Sequence, residues 1–169
     1  MTTVTERFMR YAAIETTSDE ASESCPSSEC QWTLANLLVE EMRALGMENP
    51  HADAHGYVYG FIPANVENAP AIGLIAHMDT VAAVPGRNPK PRAVAYKGGD
   101  IPLGGGVALR PAEFPELARY VGDTLIVAGG DTVLGADDKA GVAEIMTLCE
   151  ILLADPAIPH GRVCVGFTP

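Results

Sequence analysis

The chain has 169 residues, 47% of them hydrophobic, and a formal charge of −11 from 22 acidic and 11 basic residues. That length and apolar content suit one domain with a packed core and exclude a disordered segment. So acidic a surface repels phosphate backbones and argues against nucleic-acid binding.

Thr3-Val4-Thr5-Glu6 has the form of a capping box, and Val4, Phe8, Tyr11 and Ala12 follow at helical spacing, so a helix is expected from about Thr3 to Ile14. Thr16 to Ser28 is rich in Ser, Thr, Asp and Glu and reads as a surface loop. A second helix is expected from about Ser28 to Leu45, with Leu34, Leu37, Leu38, Met42 and Leu45 as its apolar stripe and Gly46 as its stop. Tyr57 to Ile62 and the apolar run Ala71 to Ala76 predict strands, the second covered on both faces. Pro85 to Pro115 contains Gly98-Gly99-Asp100 and Gly104-Gly105-Gly106 without a following Gly-Lys-Ser/Thr, which predicts turns and a hairpin rather than a phosphate loop. Thr124 to Ala128 predicts a further strand, Val142 to Leu153 an apolar helix, and Arg162 to Phe167 a last strand. Strands interleaved with helices predict an α/β fold with a mostly parallel mixed sheet flanked by helices.

No apolar run approaches the roughly 20 residues of a membrane span, and Met1 to Arg10 lacks a signal-peptide core. A cytoplasmic protein with no membrane partner is the expectation. Cys149 and Cys164 lie in apolar segments as core residues, while Cys25 and Cys30 have no second pair to complete a zinc knot. His51 and His55 are four apart, but Ala52 stands where a zincin helix has its glutamate, so the pair reads as structural. His160 follows Pro159 and reads as a loop residue.

Two short segments carry chemistry. Ala76-His77-Met78-Asp79-Thr80 follows a strand, at the carboxyl end where α/β sheets gather ligands. His77 can offer a ring nitrogen to zinc while Asp79 holds the other nitrogen, or the two residues simply cap the strand end. Asp137-Asp138-Lys139 opens a helix, where a carboxylate can bind a cation or only complement the macrodipole.

Taken together, these segments resemble the peptidase T group of the co-catalytic zinc aminopeptidases and carboxypeptidases. The resemblance rests on His77-Met78-Asp79-Thr80, Gly98-Gly99-Asp100-Ile101 and Leu134-Gly135-Ala136-Asp137-Asp138-Lys139-Ala140-Gly141. Glu6-Arg7-Phe8, Gln31-Trp32, Pro63-Ala64-Asn65-Val66, Pro159-His160-Gly161 and Phe167-Thr168-Pro169 extend it along the whole chain. It implies that residues 1–169 are the N-terminal part of a catalytic domain. His77 is then a ligand of one of two zinc ions, Asp137 the bridge between them, and Asp79 the catalytic carboxylate that orients His77. Asp138 has no metal role and is expected hydrogen-bonded or solvated at the helix start.

The resemblance also implies residues that would follow Pro169: a glutamate general base, further zinc ligands and a dimerisation domain. On that basis the 169 residues alone are expected to bind metal weakly or not at all and to lack peptidase activity, since zinc takes three or four protein ligands. The implied activity is release of the N-terminal residue from short peptides such as tripeptides, by a complete protein that is a homodimer. Two other readings stand beside it: a related amidohydrolase acting on N-acyl or carbamoyl amino acids, and a non-catalytic fragment that keeps His77 and Asp137 as relics.

Overall fold

The computed structural model describes residues 1–169. Helix α1 (Val4–Ala12) begins at the expected capping box: Glu6 N donates to Thr3 Oγ1 and Thr3 N donates to Glu6 Oε2. Helix α2 (Gln31–Leu45) starts later than expected, because residues 28–30 form i→i+3 bonds from Gln31, Trp32 and Thr33 instead of α-helical ones. Gly46, at φ +82°, ends it in the left-handed conformation that glycine adopts without strain.

The main sheet has the order β1-β2-β8-β3, formed by β1 (Glu48–Ala52), β2 (Val58–Ile62), β3 (Ile72–His77) and β8 (Val163–Thr168). It is mixed, but parallel only at the β3–β8 pair, whereas β1–β2 and β2–β8 are antiparallel. The turn that joins β1 to β2 accounts for one of these. Asp53 Oδ1 accepts from His55 N and Tyr57 N, and so short a connection allows only an antiparallel pair. β1 lacked a strand signature because it carries Asn49 and Pro50 at a sheet edge, where an unpaired proline nitrogen does no harm.

Alternation along β2 and β8 puts Val58, Ile62, Val163, Val165 and Phe167 on one buried face. That face meets α1, α2 and α3 (Ala136–Ala154) through Tyr11, Leu34, Leu38, Met42, Val142, Met146 and Cys149. The opposite face carries Tyr59, Phe61, Ile75 and Cys164 and has no covering layer. β3 therefore departs from expectation. It is an edge strand covered on one side, and Ile75 is 74% exposed.

A smaller unit stands apart from the main sheet. β4 (Arg92–Ala95) pairs with β7 (Thr124–Val127), and β5 (Ile101–Gly104) forms the expected hairpin with β6 (Val107–Leu109). Tyr96, Ile101 and Val127 form its own core. No helix of the chain is long and apolar enough to cross a membrane.

Candidate metal centre

His77 is the last residue of β3 and lies opposite Thr168 of β8, so its ring emerges at the carboxyl end of the parallel pair. Two residues on, Asp79 turns back, and its Oδ1 lies 2.9 Å from His77 Nδ1. Its other oxygen, Oδ2, accepts from the Ser18 hydroxyl. Thr80 is tied to the loop after α1 by two backbone bonds, Ser18 N to Thr80 O and Thr80 N to Thr16 O.

Asp137 arrives from the other end of the fold. Gly135 (φ +71°) makes the turn, and a β-carbon there would come within 2.8 Å of Thr80 Cγ2, so the close approach of the two segments needs glycine. Asp137 (φ −88°, ψ 104°) is not yet helical, and its side chain leaves the helix axis almost wholly exposed. The regular helix is capped by its neighbour, since Asp138 Oδ1 accepts from Gly141 N at 3.1 Å. This is the helix-start position expected for Asp138. Sixty positions apart in the chain, Asp137 Oδ1 and His77 Nε2 stand 3.0 Å apart. The cleft around them has a volume of about 310 Å³ and is lined by His77, Asp79, Thr80, Asp137 and two valines, Val81 and Val133.

Burial opposes charge on the His77 ring, but hydrogen bonds to Asp137 and Asp79, with their negative charges, outweigh it and raise its pKa above the ordinary histidine value. The ring is thus held between two carboxylates, one on each nitrogen.

Lys139 follows Asp137 and Asp138 in the Leu134-to-Gly141 motif. Its side chain is 1% exposed, and Nζ donates to Ile14 O at 2.7 Å. Burial pushes its pKa down to about 8, against the favourable charges of Cys30 and Asp79. An unfolded lysine titrates near ~10.4, so between these values the unfolded chain holds a proton that the folded chain has released. Stability from this group is therefore present above the unfolded value and lost as pH falls through about 8. Burial of Cys149, which pushes its thiol up to about 11, works in the opposite direction from pH ~9 upward. Lys139→Met isolates the lysine term: urea unfolding between pH 8 and 10 should show wild type gaining about 2–3 kcal/mol relative to the variant. Equal pH slopes in the two proteins would show that the ammonium is not held in a desolvated site.

An imidazole nitrogen beside a carboxylate oxygen, with a second carboxylate behind the ring, is the donor chemistry of a zinc site. In number the set is short, because no group of three or more His, Cys, Asp or Glu side chains is placed to hold a metal. The remaining candidates make other contacts: Cys25 Sγ donates to His55 O, Cys30 Sγ lies against Ser28 and Thr17, and His51 sits in β1. Sequence reasoning did not single out Ser18, because it lies within a run rich in Ser and Thr where no spacing distinguishes it.

A parallel strand end carrying a histidine–carboxylate pair, met by an aspartate before a long helix, makes a candidate metal centre in a mixed α/β fold. The fold is that of solved aminopeptidases. The aminopeptidase PepT of Bacillus cereus matches with a TM-score of 0.63 and 25% identity over 97% of this chain and 35% of that one. A tripeptidase of Staphylococcus aureus has the same fold, with a TM-score of 0.64 and 23% identity over 97% of this chain and 35% of that one. In sequence the chain is homologous to peptidase T over nearly its whole length. It is 52% identical over 168 residues to Peptidase T of Geobacillus kaustophilus, covering 97% of this chain and 41% of that protein. The chain thus spans about 41% of the length of that relative. No protein-family model matches it.

Proposed function

We propose that the chain supplies one side of a two-zinc aminopeptidase site that releases the N-terminal residue from short peptides, tripeptides among them. The observation that carries this reading is the 3.0 Å approach of His77 Nε2 to Asp137 Oδ1, with Asp79 2.9 Å from the ring's other nitrogen. In this reading His77 would hold one zinc and Asp137 would be a ligand shared by the two. Asp79 accepts the Nδ1 proton, which leaves Nε2 free as the donor atom. Asp138 is spent on the helix cap and contacts no metal. When bound, the metals supply Lewis acidity toward the scissile carbonyl and acidify a water.

Residues 1–169 are then the N-terminal part of a catalytic domain. In this reading the general base, the remaining ligands and the surface for homodimerisation would lie outside these 169 residues. His77 and Asp137 are two of the three or four protein ligands that zinc takes, so weak metal binding and no turnover are part of the proposal for these residues alone. The setting proposed is cytoplasmic, with no membrane or nucleic-acid partner.

The test is a chimera in which these 169 residues replace the matched region of the Geobacillus kaustophilus protein. Hydrolysis of a tripeptide that stops on chelation and returns with zinc is the expected result. A folded chimera that does not cleave, or cleaves equally well with chelator present, contradicts the reading.

A further inference from the structure

The loop after α1 touches both halves of the candidate centre. Ile14 O accepts from Lys139 Nζ, two residues beyond Asp137. Thr16 O accepts from Thr80 N, and Ser18 N donates to Thr80 O, which forms a parallel bridge between Thr17 and Thr80. At the end of this run the Ser18 hydroxyl donates to Asp79 Oδ2, the oxygen that does not face His77. A single five-residue segment therefore ties the His77-Met78-Asp79-Thr80 strand end to the start of α3.

The Ser18 contact matters because of what Asp79 does. A carboxylate fixes an imidazole only if its own rotation is fixed, and Asp79 has one oxygen on the ring and one on Ser18. No other hydrogen bond to the Asp79 carboxylate is formed, so Ser18 alone holds the oxygen away from the ring. The backbone of Ser18 is pinned by its bond to Thr80 O at 2.9 Å, which makes the hydroxyl a fixed donor rather than a free rotor on a surface loop. Gly86 fits closely behind this loop, since a β-carbon there would fall 2.1 Å from Thr17 Oγ1.

We infer that Ser18 is a positioning residue that locks the Asp79 carboxylate and, through it, the orientation of the His77 ring. The Asp79 contact is already present without metal, whereas the role in metal binding rests on the proposed zinc function. Two readouts on the 169-residue chain separate these. In the metal-free chain, side-chain ¹H–¹⁵N spectra of the histidines report the Nδ1 proton of His77. Ser18→Ala should raise the exchange rate of that proton by about tenfold and leave His51, His55 and His160 unchanged, while Ser18→Thr, which keeps a hydroxyl, should restore it. In a zinc titration of the same chains, Ser18→Ala should weaken binding about threefold to tenfold. That is less than the ~10–100-fold typical of losing the carboxylate itself, because Ser18 stands one contact further from the metal.

A His77 signal in Ser18→Ala that superimposes on wild type overturns the inference. So does equal perturbation by Ala and Thr, which would mark a steric effect of the loop. If Ser18→Ala does not fold, Ser18→Cys, with its weak thiol donor, serves for the same comparison and should give an intermediate exchange rate. A wild-type chain that shows the Ser18 effect on exchange but no zinc-dependent shift counts against the zinc function and leaves the positioning role standing.

Discussion

Replacing Arg7 with alanine should destabilise the chain by about 3–5 kcal/mol, because it removes the buried guanidinium that two partly buried carboxylates share. Arg7 is 1% exposed inside the helical layer. Its Nε donates to Glu41 Oε1 at 2.7 Å and its Nη2 to Glu150 Oε2 at 2.6 Å. Its Nη1 donates to Thr2 O and Thr147 Oγ1. One side chain of α1 thereby joins α2, through Glu41, to α3, through Thr147 and Glu150. Glu41 also accepts from Tyr11 and Arg10, so the removal leaves a partly buried carboxylate with fewer partners rather than none. Arg7→Lys should recover little of the loss, since a lysine ammonium lacks the planar fork that reaches both carboxylates at once. Chemical denaturation of the two variants measures this. A loss under ~1 kcal/mol for Arg7→Ala would put the cluster among ordinary surface ion pairs.

The second large effect belongs to Asp79. In the chimera with the Geobacillus kaustophilus protein, Asp79→Asn should weaken zinc affinity by about 10–100-fold, read by competition with a chelator. The substitution keeps the size of the side chain and its place against Ser18, but removes the charge that favours a proton on His77 Nδ1. An asparagine can present its amide nitrogen to the ring, which would favour the tautomer with Nε2 protonated and remove the donor atom. Thermal stability should change little, because Asp79 is 28% exposed and lies outside the hydrophobic core. Unchanged zinc affinity would mean that Asp79 does not set the ring's tautomer.

How far these features were legible in the sequence follows from the range of the forces involved. The capping box at Thr3 and Glu6 and the glycine stop at Gly46 involve only neighbours along the chain, and both are present. Strand β1 escaped notice because its place depends on pairing with β2, with no alternation of its own residues. The exposure of β3 could not be read either. Ala71 to Ala76 is apolar enough for a doubly covered strand, and only the sheet order puts it at an edge. The smaller unit is a similar case, since Thr124 to Ala128 reads as a strand but the partner of β7 is β4 rather than the main sheet.

At the site, the two motifs could be marked as chemistry-bearing, but their meeting is a tertiary fact. The approach of Asp137 to His77 depends on Gly135 and on the bonds that bring Thr80 against the loop after α1. Ser18 and the carbonyl of Ile14 were illegible for the same reason: each acts through a partner more than sixty positions away, in a segment with no pattern of its own.

The claim on which the function depends is that the His77 ring and the Asp137 carboxylate bind one ion together. An NMR titration of the 169-residue chain with zinc, carried to millimolar concentrations so that weak binding is seen, tests it directly. The side-chain signals of His77 and Asp137 should shift along a single binding curve, and His77→Ala should abolish the shift at Asp137 just as Asp137→Ala abolishes that at His77. Two independent curves, or an Asp137 response that survives the loss of His77, would contradict it.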